Sequence, residues 1–300
     1  MGKASRIKGD LDDVEALLEI ITVLKDVSTN KFFQFAQQKG DFAKFLEVFL
    51  HFFGMLESSD TDCPLVRNNN PGTDMVIITS EASFMSQLNS RVVNAAVAEY
   101  KKYPDAKIVC VGWRAADKCK QLGLPLERLY RDVDTVGRYQ ISLQLRDYLI
   151  ERIMSGESGR AICIYVWAKN FSILKPRVVT LLPATELLGD QEEESAAGEE
   201  KKEKPRAARG QQDFIAESGI DGIMKVLADV WVSCRLFEII SDIRIAESAA
   251  QAQQLEQSID GLSKEKSGLA LSLKKASRGD LNKAMAEVFT SSKVTKSKRR

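Results

Sequence analysis

The chain has 300 residues, a formal net charge of +1 and a composition typical of a globular protein, with 44% hydrophobic and 28% charged residues. This near-neutral balance gives no general preference for nucleic acid or for a membrane surface. No uncharged apolar run of about 18 residues occurs, so the sequence predicts no membrane-spanning helix. The start, MGKASRIKGDLDD, has no apolar segment, and we expect neither a signal peptide nor a transit peptide.

The first segment carries an apolar stripe with the spacing of a coiled coil. From Leu11 onwards, positions alternately three and four residues apart are almost all apolar, and no proline interrupts them. The polar breaks in the stripe are Lys25, Ser28 and Lys39. The pattern predicts an N-terminal shaft helix at residues 1–57, about 70 Å of which requires a partner helix to cover its apolar face.

Residues 74–185 alternate between short apolar runs and amphipathic stretches, which is typical of an α/β domain. The predicted strands are Met75–Thr79, Lys107–Val111, Leu126–Arg131, Arg160–Trp167 and Arg177–Leu182, and the predicted helices are Met85–Lys102, Ala115–Leu122 and Thr135–Ser155. Strands that alternate with helices indicate a small, largely parallel sheet with helices on its faces.

The remainder of the chain is a charged segment followed by a second long helical pattern. Residues 186–210 are of low complexity, acidic first and then basic, which predicts a disordered loop, or alternatively a solvated helical extension. Residues 211–290 contain no proline and predict a C-terminal shaft helix, followed by a frayed basic tail at 291–300. The stripe of this helix is less strictly spaced and includes Leu262, Leu269, Leu273, Ala276, Met285 and Val288. We expect the two long helices to form an antiparallel coiled coil with a Rossmann-like α/β domain inserted between them.

We find no residue pattern in the α/β domain that indicates catalysis. The turn after its first strand, Ser80–Asn89, lacks the glycines that allow a backbone to approach phosphate. The single histidine, His51, lies in the phenylalanine-rich helix and fits an interface or core position better than a catalytic one. Gly112-Trp113-Arg114 is either an anion-binding turn or a plain strand-to-helix connection. The five cysteines show no metal or redox spacing and indicate buried, reduced thiols. We therefore expect no catalytic residue, cofactor or metal.

Three blocks of the sequence resemble the gamma subunit of F-type ATP synthases. Ile7–Phe32 can be laid without gaps on the opening helix of that family. Met75–Ala96 resembles its strand-turn-helix block ITSDRGLCGGLNSNI and retains the Ile-Thr-Ser and Leu-Asn-Ser triplets. The C-terminal blocks Ala246–Gln257 and Leu269–Phe289 resemble the family's SEHAARMVAMDN and LTLKYNKARQAAITNELIEIV. The glycines of the family's turn are replaced by SFMSQ, so the chain resembles a divergent member.

The resemblance implies a central rotor shaft that couples ion translocation through the membrane sector to nucleotide conversion in the alpha/beta ring. The implied partners are the alpha and beta subunits, the epsilon subunit and the membrane ion-driven ring, with no nucleic acid. The catalytic residues would then belong to beta. The implied location is the cytoplasmic face of an energy-transducing membrane, with peripheral attachment through the partner subunits.

The resemblance also suggests which residues contact the ring. Lys25, Lys31, Lys274, Lys275 and Arg278 match or neighbour the family's contact regions, and their cations would face acidic loops of beta. A non-catalytic coiled-coil scaffold or adaptor derived from the same family is the alternative, because the heptads fit it equally well. A small-molecule enzyme ranks third, because the phosphate-binding glycines are missing.

Overall fold

The computed structural model describes residues 3–56, 63–81, 85–131, 137–183 and 220–297, and it describes their side chains except at 40–56, 138, 220–221, 224 and 291–297. The elements are, in chain order, α1 (Lys3–Leu56), β1 (Thr73–Ile78), α2 (Ser86–Tyr100), β2 (Lys107–Val111), α3 (Trp113–Gln121), β3 (Leu126–Tyr130), α4 (Gly137–Met154), β4 (Arg160–Ala168), β5 (Leu174–Leu182) and α5 (Ile220–Ser297).

The helices and strands expected from the sequence are all present, with shifted ends. β5 begins at Leu174 and so includes Pro176, which a strand tolerates at a sheet edge where its missing N–H is not needed. α5 reaches Ser297, beyond the predicted end at 290. The predicted disordered loop at 186–210 lies outside the described residues, as does the side chain of His51.

The sheet has five strands in the order β3-β2-β1-β4-β5. The first four are mutually parallel, and β5 runs antiparallel to β4 at one edge. This order is the Rossmann-like half-pattern in which the chain moves outwards from β1 in one direction and then in the other. The predicted α/β domain with a largely parallel sheet is confirmed.

Strand register assigns the buried side chains of the sheet to two faces. Ile77 pairs with Cys110 on β2, whereas its neighbour Val76 pairs with Cys163 on β4. Successive residues of a strand point to opposite faces, so Cys110 and Cys163 lie on opposite sides of the sheet. α3 covers the side of Cys110, because the sulfur of Cys119 contacts it at 3.9 Å.

The opposite side of the sheet is covered by α4 and α5. Arg152 of α4 donates from Nε to both carboxylate oxygens of Asp74, at 3.0 Å each, and Asp74 is completely buried at the start of β1. Arg146 of α4 also lies 3.5 Å from the carboxylate of Asp229 on α5. A buried carboxylate needs such a partner, so Arg152 fixes the position of α4 on the sheet.

The chain divides into two compact units. One unit combines Met1–Thr29 with Gln251–Arg300, and the other is Asn30–Ala250. The sheet and its helices form the core of the second unit, together with one turn of α1 around Phe32. In the described residues, no helix is long and apolar enough to cross a membrane.

The turn between β2 and α3 requires glycine. Gly112 has a φ of +95°, and a Cβ at this position would lie 2.5 Å from the carbonyl oxygen of Thr79. Gly123, after α3, also has a positive φ of +70° but has nothing within 4 Å of its Cβ position. Both glycines have a positive φ, which strains a substitution, and only at Gly112 would the added Cβ also overlap a neighbouring residue.

Gly112→Ala is expected to lower the free energy of unfolding by about 3 kcal/mol, from a positive-φ backbone conformation that residues with a side chain rarely adopt and from overlap with Thr79. Gly123→Ala is the matched control and should lose only about 1 kcal/mol, from strain alone. Urea unfolding followed by tryptophan fluorescence measures both, because all three tryptophans lie in the second unit. Equal losses in the two variants would contradict the close approach of Thr79.

Candidate functional site

The stripe predicted on α1 is its least exposed face. From Leu11 to Lys39, every stripe position is buried or half-buried, and Val14 and Ser28 are only 7% and 3% exposed. Ser28 donates its hydroxyl to the carbonyl oxygen of Leu24 at 2.9 Å, so this polar break is satisfied within its own helix. The stripe is therefore a helix-packing seam.

α5 presents a matching stripe within the first unit, and its spacing is stricter than the sequence suggested. Buried or half-buried positions recur alternately three and four residues apart, at Ala252, Leu255, Ile259, Leu262, Lys266, Leu269, Leu273 and Ala276. The lysine in the middle of the stripe conceals this pattern in the sequence. The prediction that Met285 and Val288 continue the stripe was wrong, since they are 55% and 67% exposed.

Two ion pairs set the direction and register of the seam. Lys25 Nζ lies 2.9 Å from a carboxylate oxygen of Glu256, and Lys266 Nζ lies 3.1 Å from a carboxylate oxygen of Glu15. Moving ten residues forward along α1 thus moves ten residues back along α5, which confirms the predicted antiparallel coiled coil. The side-chain hydrogen bond to Glu256 raises the pKa of Lys25. Exposed pairs add little stability, so their main effect is on register.

In the second unit, a cluster of four polar residues joins α1, β4 and α5; we call Lys39, Tyr165, Glu238 and Asp242 the anchor cluster. Lys39 Nζ lies 2.5 Å from Asp242 Oδ1 and 3.5 Å from Glu238 Oε1. Tyr165 donates its hydroxyl to Asp242 Oδ2 at 3.3 Å. Arg235 also pairs with Glu238, so two cations face the two acids.

The carboxylate of Asp242 is the most strongly buried charge of the anchor cluster, with 3% of its side chain exposed. Burial raises the pKa of Asp242, while the positive charge of Lys39 acts in the opposite direction. Burial also raises the pKa of Tyr165 well above its usual value, so this hydroxyl stays protonated and donates. In the sequence, Lys39 is a polar break in an apolar stripe. In the structure, it is the counter-ion of the buried carboxylate of Asp242.

Aromatic contacts hold the same stretch of α1. The rings of Phe32 and Phe171 meet edge to face, with centroids 5.2 Å apart. The guanidinium of Arg244 lies over the ring of Phe35, 4.0 Å from its centroid. Together with the anchor cluster, these contacts attach α1 to the connection between β4 and β5 and to α5.

The turns at the carboxyl ends of β1 and β2 are occupied by the chain's own side chains. Asn89 accepts from the backbone N–H of Ser80 at 3.1 Å and donates to its carbonyl oxygen at 2.8 Å. Glu81 accepts from the N–H of Trp113 at 3.0 Å, and the hydroxyl of Thr79 accepts from the N–H of Ala115. These donors are therefore already used, which favours the plain strand-to-helix connection over an anion-binding turn at Gly112-Trp113-Arg114.

The predicted contact residues are on the surface. Lys31, Lys274, Lys275 and Arg278 are exposed, whereas Lys25 lies in the seam with 28% of its side chain exposed. The register of the first unit places the start of α1 level with Lys274–Arg278 of α5. Six exposed cations gather there, which we call the basic end: Lys3, Arg6, Lys8, Lys274, Lys275 and Arg278.

α1 also has an exposed apolar face that the sequence pattern did not indicate. Leu17, Ile20, Leu24 and Val27 are between 44% and 57% exposed and are spaced three, four and three residues apart. They form a second apolar stripe that the seam does not cover. Contiguous exposed apolar surface of this kind is typical of a protein–protein contact.

A family model described as ATP synthase matches residues 3–293 of the chain. The chain belongs to the ATP synthase family. Among curated proteins it is similar to the ATP synthase gamma chain of Desulforudis audaxviator, at 24% identity over 60% of each chain. It is also similar to the gamma chain of Pelotomaculum thermopropionicum, at 21% identity over 71% of this chain and 70% of that one. The predicted resemblance to gamma subunits of the ATP synthase family is confirmed.

Solved ATP synthase structures share the fold. A chain of the Euglena gracilis mitochondrial ATP synthase, in its OSCP/F1/c-ring structure, aligns with a TM-score of 0.58 at 14% identity, over 99% of this chain and 96% of that one. A chain of the Tetrahymena thermophila central stalk and c-ring aligns with a TM-score of 0.57 at 13% identity, over 80% and 99%. The arrangement of long end helices with an inserted α/β domain is therefore a fold that this chain shares with chains of solved ATP synthases.

Lys39→Met is expected to destabilise the second unit by about 3 kcal/mol at neutral pH, because it leaves the buried carboxylate of Asp242 without its counter-ion. Lys39→Met combined with Asp242→Asn should recover most of this loss, because neither charge remains. Urea unfolding of the full chain measures both variants. Additive losses in the double variant would contradict the coupling of the two residues.

The pH dependence of the free energy of unfolding gives a second test of the Lys39–Asp242 pair. A raised folded-state pKa means that Asp242 stabilises the fold when protonated, and this contribution is lost as pH rises through that pKa. The stability of wild type relative to Asp242→Asn should therefore increase as pH falls towards 3.8, the usual pKa of the group. Lys39→Met removes the opposing charge and should move this increase to higher pH.

Proposed function

We propose that the chain is the rotor subunit of an F-type ATP synthase and couples ion translocation in the membrane sector to nucleotide conversion in an alpha/beta ring. The observation that carries the proposal is the antiparallel coiled coil in a member of this family, with a second apolar stripe on its outer face. A two-stranded shaft covers one stripe with its own partner helix. The second stripe needs an additional protein surface, which a surrounding ring supplies.

The proposed partners are the alpha and beta subunits, the epsilon subunit and the membrane ion-driven ring. The similar Euglena and Tetrahymena chains come from assemblies that contain a c-ring, which supports this assignment. The proposed location is the cytoplasmic face of an energy-transducing membrane, with attachment through these partners. No nucleic acid takes part.

The proposed role is mechanical, and the chemistry belongs to the ring. The anchor cluster fixes α1 and α5 to β4, so these elements turn as one body in the second unit. In the first unit, the Lys25–Glu256 and Glu15–Lys266 pairs oppose a shift of one helix along the other. A shaft with a fixed register delivers rotation to its surroundings with little internal slip.

We propose that the chain itself performs no catalysis. The turn where a dinucleotide would bind in a Rossmann-like sheet is bridged by Asn89, and the amides at the start of α3 are used by Glu81 and Thr79. Both features also disfavour a small-molecule enzyme. In the described residues, no group of three or more His, Cys, Asp or Glu side chains is placed to hold a metal ion.

The proposed contacts with acidic loops of beta are Lys31, Lys274, Lys275 and Arg278, which are exposed, and Lys25 through the part of its side chain that remains open. Lys274, Lys275 and Arg278 belong to the basic end, where no carboxylate of α1 lies level with them: the register places Lys3–Lys8 there instead. Concentrated positive charge attracts an acidic partner and guides its approach.

The alternative function is a non-catalytic coiled-coil scaffold or adaptor derived from the same family, because such a protein would have the same helix-packing seam. The second apolar stripe favours the rotor, because a two-stranded scaffold normally has a polar outer face.

Copurification distinguishes the rotor subunit from the scaffold. The full chain, expressed in its own cells with an affinity tag, should be recovered together with alpha and beta subunits in a complex that hydrolyses ATP. The same purification from cells that carry the four polar substitutions Leu17→Gln, Ile20→Gln, Leu24→Gln and Val27→Gln should recover less of the complex. Recovery of the chain as a free monomer under every condition, with no effect on ATPase activity, would refute the proposal that it is a rotor subunit.

Charge reversal at the basic end tests the proposed contacts. Lys274→Glu, Lys275→Glu and Arg278→Glu together should lower ATP-driven ion pumping by the complex about tenfold, which corresponds to about 1.4 kcal/mol of lost interaction. The control variant Lys274→Arg, Lys275→Arg and Arg278→Lys keeps the charges and should pump as wild type does. Full pumping by the reversed variant would show that these cations make no functional contact.

A further inference from the structure

Two cysteine sulfurs are in contact inside the α/β domain. Sγ of Cys110, on β2, lies 3.9 Å from Sγ of Cys119, on α3, and both side chains are completely buried. Both are free thiols. Nothing in the mechanical role of a shaft requires a pair of thiols at this position.

The domain also contains a thiol that cannot take part. Cys163 is completely buried in the same sheet, but its strand register places it on the face opposite to Cys110. Burial raises the pKa of Cys163, which is as fully shielded from solvent as Cys110 but lies on the face of the sheet away from Cys119. Cys163 is therefore a matched internal control for any reaction that needs two thiols.

We propose that Cys110 and Cys119 form a peroxide-sensitive dithiol that closes to an intramolecular disulfide. The proposal is independent of the rotor function. A disulfide needs a sulfur–sulfur distance of about 2.05 Å, so each sulfur must move by about 1 Å. We expect rotation of the two side chains to supply a movement of this size.

Complete burial determines which oxidant can reach the pair. Glutathione disulfide must place its own sulfur against the attacking thiolate, and the covering side chains leave no room for it. Hydrogen peroxide is small and uncharged and can diffuse through brief openings of the domain. Peroxide is thus the class of oxidant that the site selects.

The hydrogen bond between the two thiols assigns their roles. The S–H of Cys110 stabilises the thiolate of Cys119, so the pKa of Cys119 is lowered and that of Cys110 is raised. The thiolate of Cys119 attacks one peroxide oxygen, the O–O bond breaks, and the departing hydroxide takes a proton to leave as water. The sulfenic acid at Cys119 is then attacked by the sulfur of Cys110, and its hydroxyl leaves as water with the Cys110 proton. The two thiols are oxidised to a disulfide, and one peroxide is reduced to two waters.

Peptide mapping of the full chain tests the proposal directly. The folded protein is treated with one equivalent of hydrogen peroxide, alkylated under denaturing conditions and digested with trypsin. Cleavage after Lys107, Arg114, Lys118 and Lys120 separates the two cysteines. A disulfide therefore joins peptide 108–114 to peptide 119–120, with the loss of two hydrogen atoms. The number of titratable thiols falls from five to three, and a thiol reductant restores it.

Variants and the internal control complete the test. Cys119→Ser removes the joined peptide, whereas Cys163→Ser leaves it unchanged, and far-ultraviolet circular dichroism verifies that both variants fold. In wild type, peptide 161–169, which carries Cys163, remains a free thiol. The proposal is overturned if peroxide leaves five titratable thiols in wild type, if the joined peptide contains Cys163, or if Cys110 and Cys119 are recovered only as separate sulfinic acids. The wild-type map decides even if a variant does not fold.

Discussion

An α-helix cannot cover an apolar stripe with its own residues, and this constraint determines how both ends of the chain are arranged. α1 presents a stripe at heptad spacing from Leu11 to Lys39, and within the first unit α5 supplies the complementary stripe in the reverse direction. Ala246, Ala249 and Ala252 on α5 are almost completely buried. Their small side chains allow a neighbouring helix to approach closely. Because the partner helix comes from the other end of the chain, the α/β domain must be an insertion between them.

The polar breaks in the stripe add specificity to this packing. Apolar seams tolerate a shift by one heptad, because every layer resembles the next. Lysines at a few stripe positions disfavour such a shift, because each lysine must lie beside an acidic residue of the opposite helix. Lys25 meets Glu256 and Lys266 meets Glu15 at the surface, while Lys39 meets Asp242 in the interior. The interior pair carries the larger energetic consequence, because a buried carboxylate without a counter-ion is strongly unfavourable.

Polar side chains organise the connections that follow β1 and β2. The side chain of Asn89 hydrogen-bonds to the backbone of Ser80, and the hydroxyl of Thr79 accepts a hydrogen bond from the backbone N–H of Ala115 on α3. The carbonyl oxygen of Thr79 leaves no room for a side chain at Gly112. These contacts give the Ile-Thr-Ser and Leu-Asn-Ser triplets a structural role, because Thr79, Ser80 and Asn89 shape the connections of the sheet.

The sequence by itself determined the helices, the strands, the α/β class and the family resemblance, because hydrophobic period and local motifs are properties of neighbouring residues. It also located the breaks at Lys25, Ser28 and Lys39. Only the tertiary structure decided what Lys25 and Lys39 do, since their partners Glu256 and Asp242 are more than 200 residues away in the chain. It also decided that Met285 is outside the seam and that Cys110 meets Cys119, because side-chain contacts depend on register and on the face of the sheet, which no local pattern records.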